Sequence, residues 1–178
     1  GPSNKGNSSK GPFGSNLVVS EAQIVASKKT GVVIMPKIFG LPNTALIKVV
    51  GNDKVEGIAD EDWIDLPGGE KKFAAGYDAV TERFYILSNA ILPSHDNRFG
   101  TPPELVRNTG AMLSSKDLRH WDLEKIFIHS SNYNYEAFQY FNFHINGDDM
   151  LVGSRTAFDI GNSPRPPRGH DSNLATFH

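Results

Sequence analysis

Two stretches of this chain run from an acidic residue into a tryptophan between strand-like segments, DEDW at 60–63 and DLRHW at 117–121. A short polar turn that ends in a large aromatic, set twice at the same point of a similar strand series, restricts the fold more than any other feature. The series rests on three hairpins, at residues 22–38, 73–91 and 140–157. Each pairs an apolar strand with a more hydrophobic second one through a polar turn (SKKTG, DAVTER, NGDD), and the second strands begin near Val32, Phe84 and Met150. After the first two hairpins come a third and a fourth strand, TALIKVV then WIDL, and GAMLSS then DLEKIFIH. The Asp-to-Trp turn separates these last two each time. Helical periodicity is almost absent, and 17 Gly and 11 Pro supply turn signals between the apolar runs, so the chain reads as all-β.

A four-stranded antiparallel meander recurring with such a turn is the pattern of β-propeller blades, and coincidentally similar hairpins in a β-sandwich are the competing reading. On the propeller reading the blades span about 17–66, 67–129 and 130–178, about two and a half in all. A ring needs roughly four to eight blades, which places the remainder outside this chain. The closing NLATFH, strand-like and without a turn, fits that expectation. Residues 1–16, rich in Gly, Ser, Asn and Lys and lacking an initiator Met, read as a tag remnant or flexible linker.

Composition removes several function classes. The net charge of −2, with no basic stripe, argues against nucleic acid as a partner. Without cysteine there is no disulfide, thiolate metal site or cysteine nucleophile. No apolar run reaches the roughly 18 residues of a membrane span, and no signal-peptide pattern is present. No His/Asp spacing matches a known ligand set, so neither metal nor cofactor is expected. Oligomeric state is left open between a monomer and an undefined assembly.

In the second turn the Asp117 carboxylate is suited to accept backbone N–H groups, and Trp121 to fill the layer between neighbouring blades. Both are read as structural. The turn also orients the strands. Antiparallel connections alternate between two ends, so the short turns share one end and the long loops gather at the other. Those loops are PGGEKK (67–72), 92–109, SSNYNYEAFQ (130–139) and 158–173, and long loops on a rigid scaffold are where binding and chemistry concentrate.

Several side chains there are candidates. His170, Asp171 and Asn173 form the favoured cluster, an imidazole and a carboxylate in a Gly/Pro-rich loop suited to acid/base work, with His170 and Asn173 placed to bind substrate hydroxyls; Asp171 and Asn173 also read as caps of the loop's turn. Glu136, entering the strand AFQYFNF, is the preferred general acid, and Tyr135 beside it adds a phenol. Arg155 presents a bidentate fork for an anion. Glu70 follows two glycines that permit close backbone approach, and Arg98 closes the polar cluster His95-Asp96-x-Arg98; surface charge is the plainer reading of both.

SSKDLRHW, YDAVTERFYILSN, FQYFNFHINGDDMLVGSRTAFD and HDSNLATFH together resemble the C-terminal part of the sialidase-like propeller superfamily, most closely exo-sialidase-type proteins of gut Bacteroides-like bacteria. The resemblance covers roughly residues 60–178. It implies a six-bladed propeller and a secreted or periplasmic bacterial glycoside hydrolase acting on terminal sugars of glycans, with a non-catalytic lectin-like or protein-interaction propeller as the alternatives. It further implies arginines that clamp a substrate carboxylate, a Tyr–Glu nucleophile and an acidic proton donor. The Phe/Tyr-Arg-Ile-Pro motif that carries the first clamp arginine in sialidases is absent.

Overall fold

The computed structural model describes residues 18–56, 59–91, 93, 100–161 and 165–178. Among them there is no α-helix, and hence no helix long and apolar enough to cross a membrane. The chain folds into antiparallel sheets laid one on another. The first is built from β1 (Val19–Ser27), β2 (Gly31–Ile38) and β4 (Ile47–Val50), which runs on from β3 (Asn43–Ala45) across a break at Leu46, β3 lying beside β2 in a separate two-stranded sheet. The break arises because the two halves take different outer partners. β3 pairs with β6 (Trp63–Asp65), β4 with β5 (Lys54–Val55), and the Leu46 N–H goes to the Asp62 carbonyl at 2.9 Å.

The second sheet is a four-stranded meander of β7 (Ala74–Asp78), β8 (Arg83–Ser88), β9 (Thr109–Ser115) and β10 (Asp122–His129), each strand beside its sequence neighbour. β11 (Ala137–Asn146), β12 (Asp149–Ala157) and β13 (Leu174–Phe177) make the third. Among the described residues no sheet closes on itself.

Two apolar layers hold the stack. Val25, Val33, Met35 and Leu66 of the first sheet meet Phe73, Phe84, Ile86, Leu113 and Leu118 of the second. Ala74 and Leu87 on the other face of the second sheet meet Phe138, Phe141 and Val152 of the third. Burying each such large side chain contributes about 1.5–3 kcal/mol. Because the middle sheet is covered on both faces, β9 is buried almost throughout, and its sequence TGAMLSS is small and unalternating rather than period-two. β4 and β13 face the core on one side only and alternate. Ile24 and Phe177, on strands of the two outer sheets, stay 65% and 74% exposed.

The first strands of the three larger sheets, β1, β7 and β11, lie against one another in that order. Two of them carry a bulge. Glu21 is an extra residue between the pairs Ser20–Lys37 and Ala22–Pro36. Tyr140 and Phe141 together span the single residue between Arg155 and Gly153. Tyr140 takes a left-handed φ of 55°, which a bulky side chain adopts only against strain.

Candidate functional site

The short turns occupy one end of the stack. Ser115 Oγ accepts the N–H groups of Asp117 (3.2 Å) and Leu118 (2.9 Å). Asp117 Oδ1 accepts those of Arg119 (2.8 Å) and His120 (2.9 Å), and Oδ2 meets His120 Nδ1 at 2.8 Å. Burial opposes the Asp117 charge, but this set of donors outweighs it and holds the carboxyl far below its usual range. Leu118 sits in the left-handed region (φ 66°) and is buried, and Trp121 Nε1 donates to its carbonyl at 3.0 Å while the ring joins the first apolar layer. Arg119 then crosses to the matching turn of the first sheet, meeting Asp62 Oδ1 at 2.8 Å and the Glu61 carbonyl. Asp117 and Trp121 thus find their partners within the turn and, for Trp121, in the first apolar layer.

The opposite end carries the loops, and there the charges converge. Tyr140, lifted out of β11 by its bulge, is approached by three cations. The Arg155 guanidinium lies 4.7 Å from the ring centroid, Lys72 Nζ 5.4 Å and the Arg107 guanidinium 5.6 Å. Arg107 is 6% exposed, and its Nε and Nη1 have no hydrogen-bond partner among the described residues. Burial pushes its guanidinium below the ordinary arginine range; Tyr140 and Glu21 oppose that push, and the Arg155 charge adds to it. Glu21 itself pairs with Lys37 at 3.1 Å. A buried guanidinium with unused donors, close to the Arg155 charge and sharing the Tyr140 ring with Arg155 and Lys72, is an arrangement that an anion completes.

Around this centre the loops pack on each other. Arg155 donates from Nη2 to the His170 carbonyl (2.6 Å) and from Nε to Ser172 Oγ (3.1 Å), so strand β12 and the 168–173 segment are joined. Buried Gln139 donates to the same segment, at the carbonyls of Gly169 (3.1 Å) and His170 (2.9 Å). Gly169 in turn donates its N–H to the Asn134 carbonyl at 2.8 Å, which brings the 130–136 loop alongside. Arg155, His170, Asp171, Tyr135 and Glu136 therefore share one end of the stack.

Their local partners differ. Glu136 accepts a short hydrogen bond from Ser130 Oγ and is half-buried. Tyr135 lies under the Arg165 guanidinium, 3.6 Å from the ring centroid. Asp171 pairs with Arg168 (2.9 Å) and His170 Nδ1 (3.4 Å); the Arg168 hydrogen bond is the chief reason its carboxyl falls below the usual range. Asn173 clasps the backbone of Phe158, accepting its N–H at 3.1 Å and donating to its carbonyl at 2.9 Å, a loop staple rather than a ligand arm. Arg98, with His95 and Asp96, lies outside the described residues.

Glu70 is not a surface charge. It is 2% exposed, pairs closely with Lys71, and keeps Oε2 without a partner among the described residues. Lys71 is fully buried and also donates to the Pro103 carbonyl at 3.0 Å. Burial drives its ammonium below the ordinary lysine range, and Glu70 offsets part of that. No cluster of three or more His, Asp or Glu suited to a metal occurs among the described residues.

Sequence reasoning found Arg155 but passed over Tyr140, Arg107 and Lys72. Tyr140 had a faint signal: Phe138, Phe141 and Phe143 depart from strict alternation in a strand otherwise read as regular. Against known proteins, no family model matches the chain and no curated protein matches it.

Proposed function

We propose that the chain is part of a β-propeller glycosidase acting on terminal acidic sugars of glycans, with the substrate's anionic group held between Arg107 and Arg155. One observation carries this reading: three cations gather over Tyr140, one of them a buried guanidinium with unused donors. Arg forks suit a planar carboxylate, Lys72 adds charge, and the Tyr140 ring offers a face to the sugar. The propeller arrangement is supported by the meander sheets and by the succession of first strands along one side of the stack. Glu136 is the proton donor to the departing oxygen, oriented by Ser130. Asp171, held ionised by Arg168, fits a base or a hydroxyl acceptor rather than an acid.

The hydrogen bonds that tie Asp171 to Arg168 and His170 also suit a second reading, a lectin-like propeller that binds the acidic sugar without cleaving it. Assay of the whole protein on aryl glycosides and sialosides, then with Glu136→Gln, Asp171→Asn and Arg107→Gln, separates the two. Turnover of an acidic glycoside that disappears in Glu136→Gln supports the enzyme. Binding without turnover in every protein supports the lectin. Absence of any acidic-sugar binding removes both.

A further inference from the structure

The turn end of the stack, opposite the Tyr140 centre, carries a cleft of about 480 Å³. It opens between the 28–30 turn of the first sheet and the 79–82 turn of the second, and Lys28, Lys29, Lys116, Tyr77 and Glu82 line it. Lys29 Nζ donates to the Lys116 carbonyl at 3.2 Å, so turns of the two sheets are tied across the gap. All three lysines are exposed. The lysines that form ion pairs among the described residues are Lys37, Lys48 and Lys71, so these three have no carboxylate partner there. Glu82 is the one carboxylate on the lining. Three cations against one anion is a local excess in a chain whose net charge is −2. Tyr77 is half-buried and packs on the first apolar layer, its ring centroid 4.8 Å from that of Phe84, so the cleft has a fixed aromatic wall.

Lysine ammonium groups are compact point charges without the planar fork of arginine, so they answer to charge density rather than to the flat shape of a carboxylate. A sulfate or phosphate monoester presents three strong acceptor oxygens that point apart, and it can meet ammonium groups arriving from different turns at once. The volume is that of a small-molecule site and leaves room for more than the oxyanion, while an aromatic wall suits the C–H face of a ring. We propose that this cleft binds a sulfate or phosphate monoester carried on a sugar-sized ring, with the ester oxygens among Lys28, Lys29 and Lys116 and the ring against Tyr77. It is a second binding site, and it stands whether or not the Tyr140 centre takes an acidic sugar.

Calorimetric titration of the whole chain with galactose 6-sulfate, galactose 6-phosphate, galactose and inorganic sulfate tests it. At least one ester should bind about tenfold or more tightly than both galactose and inorganic sulfate, and the tighter ester tells the sulfate source from the phosphate one. Its affinity should fall as sodium chloride is added, because the contacts are exposed charges. Lys28→Gln combined with Lys116→Gln, which leaves the Lys29 tie to the Lys116 carbonyl in place, should weaken the ester by about tenfold or more. Both positions are exposed, and an unchanged denaturation midpoint shows that the fold is kept. Neither ester binding more tightly than both controls overturns the site. So does an ester affinity that survives the lysine substitutions and is lost in Arg155→Gln, since that ester would sit at the Tyr140 centre.

Discussion

Arg107 is the residue at which function and stability pull in opposite directions. Its guanidinium is buried close to the Arg155 charge with two donor groups unused among the described residues, a state that costs free energy in the empty protein. Arg107→Met should therefore raise the denaturation midpoint, by about 1 kcal/mol or more, while weakening acidic-sugar binding at least tenfold. Denaturant titration and calorimetry on the same preparation read both. A fall in stability would mean that Arg107 works as a structural ion. Arg155 was legible in the sequence because it stands in a hydrophilic step of an apolar strand. Arg107 was not, because its depth comes from the third sheet, where Phe138 donates its N–H to the Arg107 carbonyl at 2.9 Å. Long-range packing of that kind leaves no local trace.

The turns behave as elements in their own right. Asp117 is a hub for four donor groups, from Ser115, Arg119 and, twice, His120, and Asp117→Ala should destabilise the protein by about 1–2 kcal/mol. Arg119→Ala, which cuts the partly exposed tie to the first sheet's turn, should cost less, about 0.5–1 kcal/mol. The sign of the pH effect follows from the direction of the shifts. Asp117 and Asp62 are both held below 3.8, Asp62 because Arg119 and the Ala59 N–H outweigh its burial. A carboxyl depressed in the fold contributes stability that is complete above the unfolded value and drains away as pH falls toward the folded one. Unfolding free energy should hence drop below about pH 4, and Asp117→Asn should flatten that drop, as denaturant melts across the acid range will read. These turns were legible because their chemistry is local: an acid, two to three N–H groups and a Trp within a few residues. The break in the third strand at Leu46 was not, since it answers to a choice between two outer partners that only pairing reveals.

At the scale of the molecule, cohesion depends on how closely the sheets approach. Gly76 of β7 faces the Phe143 ring, and a Cβ there would lie 2.9 Å from it. Gly76→Ala should cost about 1–3 kcal/mol through overpacking, and Phe143→Leu in the same chain should recover much of the loss, a coupling that a double-mutant cycle measures. The all-β class and the order of strands could be read from apolar runs and turn signals. The stacking could be read only in part, through the unalternating composition of β9. What the bulge at Tyr140 does to heredity follows from the same geometry. Phe138 and Phe141, three apart, both reach the second apolar layer because one extra residue shifts the strand between them. Deleting that residue would act like a frameshift in the sheet, turning one phenylalanine outward and removing the ring from among the three cations in a single event. Core and site are thereby written into the same letter, and a lineage that edits one cannot leave the other as it was.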